Sequence, residues 1–188
     1  MKNLSIKLQL SLSAVALGFI ILLSQLALQH LGDIRAIEAD LKKEHALFNV
    51  FDDLYIFDSK GLLLVDWPEK PGRRMLDMSA RDYIQGVVEK GEPVISKPIL
   101  GKATKQPIVV VAAPIFDAKH QLVGIMGGVL NLYKPNLLGS IASMKNGETG
   151  YYYLVTNDRI RIAHPNPELI LKPVPENTPN RALNDAFD

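Results

Sequence analysis

Residues 81–132 constrain the fold more than any other part of the chain. Their first part has the spacing of an amphipathic helix, which we place at residues 80–89 and which Gly91 ends. Three strand patterns follow, at residues 93–100, 107–116 and 122–132. The turns between these strands are short, and short turns join antiparallel neighbours. The segment therefore predicts an antiparallel sheet with one helix against it.

A β-hairpin is predicted ahead of this helix. Residues 54–57 and 62–65 flank a polar turn that ends in Gly61, and glycine supplies the positive φ that such a turn needs. Ser79 is predicted to cap the helix, with Asp82 completing a capping box. Together with the three later strands, the hairpin predicts an α+β fold with a five-stranded antiparallel sheet.

The N-terminal segment is uncharged over residues 8–28, close to the roughly 20 residues that cross a bilayer as a helix. Lys2 and Lys7 precede it, which favours a cytoplasmic tip at residues 1–7 and a transmembrane helix at residues 8–28. The alternative is a cleaved signal peptide. The apolar core of a signal peptide is usually shorter and ends at a small-x-small site, which falls too early in this segment. The sequence therefore favours an uncleaved anchor.

An amphipathic stalk helix is predicted to continue outward from the membrane over residues 29–52. Ile34, Leu41 and Phe48 recur every seven residues among charged positions. This helix either packs on its own domain or pairs with the stalk of a second copy. Both alternatives stay open, because the apolar repeat is shorter than the roughly three or four heptads that identify a coiled coil.

Residues 135–188 have the pattern of a second, incomplete module. A linking helix is predicted at residues 135–145, and a hairpin at residues 151–155 and 160–163. The tail from Pro165 is rich in proline and has no evident sheet to complete. Because an isolated hairpin is marginally stable in water, this part has the pattern of only the start of a module.

The composition argues against several functions. The chain has no cysteine, which excludes disulfides, thiolate zinc sites and thiol nucleophiles. Its 21 Lys and Arg residues balance 20 Asp and Glu residues, so no basic surface for nucleic acid is expected. The four histidines lack metal-ligand spacing, and no catalytic motif occurs. The best enzyme hypothesis is a hydrolase using Ser96 and His120, and no pattern pairs them. We therefore predict a non-catalytic chain without a cofactor or metal.

Two phrases, KPILGKATKQPIVVVAAPIFDAKHQLVGIMGGVLNL and NGETGYYYLVTNDRIRIAHPNP, resemble the sensor regions of a known family. Together with the anchor and the stalk, they make the chain similar to the periplasmic sensors of bacterial transmembrane receptors of the double Cache type. The wording is most similar to the sensors of diguanylate cyclases. The resemblance implies a PAS-like sensor module at residues 53–134 and the truncated start of a second PAS-like module at residues 135–188.

The resemblance also implies a function. The chain would be the sensing part of a receptor in the bacterial inner membrane, with residues 29–188 in the periplasm. It would bind a small molecule and signal through the stalk to an output domain outside this chain, a diguanylate cyclase. A chemoreceptor sensor, a histidine kinase sensor and a non-catalytic interaction protein are the alternatives. A homodimer formed through the stalk stays open.

Arg81 and Tyr83 match the arginine and the aromatic residue that amino-acid-binding members of the family place near the start of the helix. The positions that the resemblance assigns to amine recognition lack the expected Tyr and Asp, and hold instead Ile84, Ile99, Gly101 and Val129. Burying an amine without a counter-charge is costly. The predicted ligand is therefore a small anion such as a carboxylate, rather than an α-amino acid.

Arg81 is also a candidate on physical grounds. A guanidinium group binds a carboxylate through two hydrogen bonds, and a helix N-terminus favours anions. The alternative is a solvated arginine that pairs with Asp77 or Asp82. Trp67 and Arg74 are further candidate ligand-binding residues. The alternative for Trp67 is a packing role in the core, and the alternative for Arg74 is a place in a charged loop.

Overall fold

A computed structural model describes residues 33–43, 50–148, 150–176 and 184. These residues form two compact units. The first unit holds everything described up to Ser96 together with Val110–Val129, and the second holds Lys97–Val109 and everything described from Leu130 onward. The predicted membrane helix at residues 8–28 lies outside the described residues. None of the helices that the structure describes has the length and apolar character needed to cross a membrane.

Short helices and antiparallel strands make up both units. In chain order the elements are α1 (Ile34–Lys43), β1 (Asp53–Asp58), β2 (Leu63–Trp67), α2 (Asp82–Lys90), β3 (Val94–Ile95), β4 (Ile99–Leu100), β5 (Pro107–Phe116), β6 (Leu122–Asn131), α3 (Leu137–Ser143), β7 (Lys145–Asn146), β8 (Gly150–Tyr151), β9 (Leu154–Val155), β10 (Arg161–Ala163) and a 3₁₀ turn (Pro167–Leu169). The main sheet has six strands in the order β2-β1-β6-β5-β3, and β4 also pairs with β5. The predicted α+β fold is confirmed, with six strands in place of the predicted five.

The additional strand arises because the strand predicted at residues 93–100 is split into β3 and β4. The backbone N–H of Ser96 donates to the carbonyl of Val110 (2.8 Å), while the N–H of Val110 donates to the Ser96 side-chain Oγ (2.9 Å). The hydroxyl thus replaces a backbone acceptor of the ladder. Pro98 follows, and proline has no N–H to continue the ladder.

The two faces of the main sheet carry different side chains. Strand β1 lies between β2 and β6. Because side chains alternate along a strand, Asp53, Tyr55 and Phe57 lie on one face, which we call the aromatic face. Leu54 and Ile56 lie on the opposite face. Helix α2 contacts Phe57 on the aromatic face, and helix α1 packs against β2.

Helix α2 begins at Asp82, with Arg81 in the N-cap position and no side-chain cap. The prediction that Ser79 caps this helix is wrong, because the N–H of Ser79 donates to Asp77 Oδ1 (2.8 Å) in a turn of its own. The N–H of Met78 donates to the carbonyl of Gly61 (2.9 Å), which ties the same turn to the β1–β2 hairpin. These contacts keep the chain non-helical for two residues beyond the predicted start.

Two predicted glycine roles are confirmed. Gly91 ends α2 in the left-handed region, and its N–H donates to the carbonyl of Val87. Gly61 closes the β1–β2 turn with a φ of 94°. A Cβ at Gly61 would lie 2.8 Å from a side-chain carbon of Ile84, so a larger residue would disturb the contact between this turn and α2.

Helix α1 covers the middle of the predicted stalk. It spans Ile34–Lys43, and residues 44–49 lie outside the described residues. The end of the predicted stalk is not helical in the described residues, because the chain forms a turn at Val50 and β1 begins at Asp53. Its amphipathic character is confirmed, since Ile37 and Leu41 are both buried.

The second unit is small. Its proline-rich tail forms hydrogen bonds with the β9–β10 hairpin, which the sequence does not predict. Strands β7 and β8 pair, as do β9 and β10. The guanidinium of Arg159 donates to the carbonyls of Val174 (3.4 Å) and Pro175 (3.1 Å), and that of Arg161 donates to the carbonyl of Pro173 (2.9 Å). An antiparallel bridge joins Ile160 to Pro173. The proline-rich tail therefore completes the β9–β10 hairpin instead of leaving it isolated.

Candidate functional site

Arg81 and Tyr83 lie together at the first turn of α2. Arg81 is half-buried, and the Tyr83 side chain is only 2% exposed. Burial raises the pKa of Tyr83 to about 12, with the nearby Arg81 charge opposing this shift and Asp82 adding to it. The phenol is therefore neutral at physiological pH and can donate a hydrogen bond beside a guanidinium group.

A row of three aromatic rings crosses the aromatic face from this point. The ring centroids of Tyr83 and Phe57 are 6.2 Å apart, and those of Phe57 and Tyr55 are 5.8 Å apart in an edge-on arrangement. The row exists because Tyr55 and Phe57 are two residues apart on β1 and share a face. Gly127 of β6 lies opposite Tyr55, and its missing side chain leaves space for both rings of β1.

A second arginine ends the row. The Arg73 guanidinium lies 5.3 Å from the centroid of the Tyr55 ring, and its side chain is 3% exposed. Its Nη1 is 3.2 Å from Asp53 Oδ1 and 3.7 Å from Asp66 Oδ2. Lys70 Nζ also donates to Asp53 (2.9 Å). Burial raises the pKa of Tyr55 well above its ordinary value, while the Arg73 charge acts in the opposite direction.

No sequence pattern singles out Arg73 or Asp53 as a candidate site residue. In the sequence, the consecutive arginines at 73 and 74 have the pattern of a charged loop. Asp53 is only the residue before a predicted strand. The strand register supplies the missing information, since Asp53 is the cross-strand partner of Val129. A carboxylate thus lies beside the position where the resemblance implied an aspartate. The register of the β1–β6 pair is therefore the signal that would have identified Asp53 as a candidate.

Trp67 is not brought to the aromatic face with Arg81 and Tyr83, and Arg74 lies at the edge of the sheet, between Asp66 and helix α1. Trp67 is the cross-strand partner of Leu54 and therefore lies on the opposite face. Lys42 of α1 lies 4.8 Å from the centre of its ring. The Arg74 guanidinium pairs with Glu38 of α1 (2.5 Å) and with Asp66 (3.3 Å).

These contacts attach helix α1 to the edge of the sheet. Burial acts to lower the pKa of Arg74, but its hydrogen bonds to Glu38 and Asp66 raise it overall. The arginine therefore stays charged where it connects the helix and the strand.

Comparison with known proteins agrees with this architecture. The model of the dCache_1 family, described as a Cache domain, matches residues 7–185. The chain belongs to the Cache family. It is 30% identical over 103 residues to the methyl-accepting chemotaxis protein TlpB of Bacillus subtilis, covering 54% of this chain and 15% of that protein.

A solved structure is similar over most of the chain. The ligand-binding domain of the Pseudomonas fluorescens chemoreceptor CtaA, in complex with L-serine, superposes with a TM-score of 0.68 at 25% identity. The match covers 89% of this chain and 70% of that chain. The Cache chain therefore spans a small fraction of the curated relative that it matches and most of a solved ligand-binding domain. Its relatives are chemoreceptor domains, which are not catalytic, and they give no support to the predicted link with diguanylate cyclases.

The second unit of this Cache chain has an open cleft of about 530 Å³. Tyr133, Met144, Tyr151 and His164 are among the residues that line it. His164 Nδ1 accepts a hydrogen bond from the N–H of Asn166 (2.9 Å). Burial lowers the pKa of His164, the hydrogen bond to Asn166 raises it, and the Arg161 charge lowers it further.

The residues of the hydrolase hypothesis have structural contacts of their own. Ser96 Oγ accepts from the N–H of Val110, and His120 stacks on Phe116 at 4.7 Å. Within the described ranges, no group of three or more His, Asp or Glu side chains could hold a metal ion. The geometry thus draws attention to the aromatic face, where polar groups are buried beside aromatic rings.

Proposed function

We propose that this chain is the extracytoplasmic ligand-binding region of a membrane-bound chemoreceptor and that its ligand is a small carboxylate. The observation that carries the proposal is the Arg81–Tyr83 pair at the start of α2. It combines a guanidinium, a neutral buried phenol and the N-terminus of a nine-residue helix. Each of these groups stabilises a negatively charged oxygen.

The relatives support the receptor class. Both curated relatives are methyl-accepting chemotaxis proteins of Bacillus subtilis, and CtaA is a chemoreceptor crystallised with L-serine, which carries a carboxylate. A chemotaxis output therefore replaces the diguanylate cyclase that the resemblance implied. Attachment to the membrane through residues 8–28, a periplasmic position of residues 29–188 and a dimer through the stalk belong to the same proposal.

The charges around Asp53 favour a carboxylate that lacks an ammonium group. Asp53 could in principle pair with an amine, since it lies opposite Val129. However, Arg73 and Lys70 already contact its Oδ1 at 3.2 and 2.9 Å, and Arg73 Nη2 donates to its Oδ2 (3.4 Å). An additional ammonium at this place would meet two cations, and like charges at short distance repel.

Calorimetric titration of the full chain in detergent micelles tests the proposal. The compounds are propionate, lactate, succinate and malate, together with the matched amino acids alanine and aspartate. At least one carboxylate without an amine should bind, and Arg81→Ala should weaken its binding by about tenfold or more, since hydrogen bonds to charged groups contribute about 1.5–3 kcal/mol. Arg35→Ala, at an exposed position of α1, is the matched control and should bind normally. Binding of none of the carboxylates, or binding that survives Arg81→Ala, would contradict the proposal.

A further inference from the structure

The cleft of about 530 Å³ in the second unit lies within the size range of small-molecule binding sites. Its walls come from the segment before α3, from α3 itself, from the β7–β8 hairpin and from the chain that follows β10. Three of its lining side chains, Leu132, Ala142 and Ile170, are buried. The cleft therefore reaches core side chains of this unit and is more than a groove on its surface.

Aromatic rings line one part of the cleft. The ring centroids of Tyr151 and His164 are 5.2 Å apart at an angle of 73°, and the ring of Tyr153 lies 5.7 Å from that of His164. Tyr133 also lines the cleft, and both Tyr133 and Tyr151 are more than half exposed. Half-exposed rings that already contact other rings still present a face or an edge to a further one. This wall favours a planar aromatic ligand.

The charged side chains around the cleft are mainly cationic. Lys134 and Lys145 line it, and Glu148 is the acid among the described residues of its lining. The charge of Arg161 is also near, since it acts on the pKa of His164. Cations beside a cleft attract an anion and repel an ammonium group. The electrostatics therefore favour a ligand with a negative charge.

His164 adds a hydrogen-bond donor to the aromatic wall. Its Nδ1 accepts a hydrogen bond from the N–H of Asn166 (2.9 Å), so the neutral ring carries its proton on Nε2. The ring is half-buried at the cleft. An imidazole in this tautomer donates from Nε2 to an oxygen acceptor, and a carboxylate is a strong acceptor.

We propose that this cleft is a second binding site and that it takes an aromatic carboxylate. The ring of the ligand packs against Tyr133, Tyr151 and His164. Its acid group lies beside Lys145. All lining residues belong to the second unit, so the site is separate from the one proposed at the first turn of α2, and this inference does not depend on the proposed function.

Calorimetric titration of the full chain in detergent micelles tests the inference, with micelles that lack protein as the blank. Benzoate is compared with cyclohexanecarboxylate, which keeps the charge and loses the aromatic ring, and with benzylamine, which keeps the ring and reverses the charge. Benzoate should bind about threefold or more tightly than cyclohexanecarboxylate, because ring contacts contribute beyond the buried area. Benzylamine should bind more weakly than either acid. The titrations are repeated with Arg81→Ala, so that binding in the first unit is not counted.

Two matched pairs of variants locate the binding. Tyr151→Leu removes a ring from the wall and should weaken benzoate binding about threefold or more, whereas Tyr152→Leu, at a 44% exposed neighbour outside the lining, should not. Lys145→Glu reverses a lining charge and should weaken binding about tenfold, whereas Lys172→Glu, at an exposed position outside the lining, should have little effect. Circular dichroism confirms that each variant folds. Because Lys145 is exposed, the second pair tests the site even if Tyr151→Leu does not fold.

The outcomes separate this inference from the proposed function. Benzoate binding that is lost in Arg81→Ala but survives Tyr151→Leu and Lys145→Glu would place the aromatic acid in the first unit and overturn this inference alone. Equal binding of benzoate and benzylamine would make the cleft an unselective apolar surface and would also overturn it. Absence of benzoate binding overturns it as well, and leaves the proposed function to its own titration with aliphatic carboxylates.

Discussion

The two units of the chain use aromatic residues in opposite ways. In the first unit Tyr55, Phe57 and Tyr83 are buried along a sheet whose register sets their spacing. In the second unit Tyr133 and Tyr151 are 55% and 52% exposed beside an open cleft. A buried tyrosine can hold its hydroxyl in one place for a small ligand, whereas an exposed tyrosine keeps several rotamers available.

The strands explain the difference. Strands β1 and β6 pair over six residues of β1, so that every side chain on the aromatic face has a fixed neighbour. Strands β7 to β10 of the second unit are only two or three residues long and form two-stranded sheets. Such sheets are marginal without further support, which here comes from arginine contacts to the tail. Four sets of substitutions test how far this contrast between the two units holds.

The largest effect is expected for Asp66→Ala in the first unit. Asp66 is fully buried and accepts hydrogen bonds from the N–H of Lys70 (2.9 Å) and from Arg74 Nε (3.3 Å). Its loss leaves a buried arginine cluster without one of its counter-charges, which should lower the free energy of unfolding by about 3–5 kcal/mol. Urea denaturation measures this loss. Glu168→Ala, at an exposed acid of the second unit, should change it by less than about 0.5 kcal/mol.

Alanine at two glycines should be destabilising for different reasons in the two units. A Cβ at Gly128 would lie 2.7 Å from the Phe51 ring, so Gly128→Ala should cost about 1–3 kcal/mol through overpacking. Gly147 has open space around it but a φ of 69°, so Gly147→Ala should cost about 1–2 kcal/mol through its backbone alone. Adding Phe51→Leu should restore stability to Gly128→Ala and leave Gly147→Ala unchanged. Equal rescue of both would mean that the crowding in the first unit is not the cause.

The second unit should lose stability in mild acid because of His164. Its pKa in the folded chain is lowered from 6.5, chiefly by burial, so the unfolded chain binds the proton first as the pH falls. The contribution of His164 is therefore complete above the unfolded pKa and declines as the pH drops through and below about 6.5. Amide hydrogen exchange of β9 and β10 at about pH 7.5 and 5.5 measures it. His164→Gln should remove this pH dependence, whereas His120→Gln, in the first unit, should leave it in place.

The smallest effect is expected for Tyr152→Ser. This tyrosine is 44% exposed in the second unit, so the change in unfolding free energy should stay within about 0.5 kcal/mol. Tyr83→Ser, at a residue 2% exposed in the first unit, should cost several times more, because it empties a buried ring site. Similar urea midpoints for the two variants would remove the contrast between the units.

Local patterns made several elements of the fold predictable. The strand predicted at residues 107–116 is observed as β5 with the same bounds, since a long apolar run between turn residues leaves little choice. The end of α2 at Gly91 is equally local. The start of α2 was missed, because Ser79 lies in a turn of its own with Asp77. The hydrogen bond between Met78 and Gly61, which are distant in sequence, ties this turn to the hairpin.

The candidate site was half predictable. Arg81 and Tyr83 stand two residues apart on one helix turn, a spacing that sequence shows directly. Arg73 and Tyr55 are 18 residues apart and meet only after β1 and β2 have paired and the following loop has folded back. Sequence also cannot show which of two consecutive arginines is buried, and the structure buries Arg73 while Arg74 reaches α1.

The contacts Glu38–Arg74 and Lys42–Trp67, which attach α1 to the edge of the sheet, should respond to salt. Both contacts involve partly exposed charged groups, and dissolved salt screens interactions of that kind more than it affects a buried apolar sheet. These contacts between the sheet and α1 should therefore weaken with rising ionic strength, while the sheet itself stays folded. In a receptor of the kind proposed above, the salt concentration of the surrounding medium would then change how closely α1 follows a movement of the sheet.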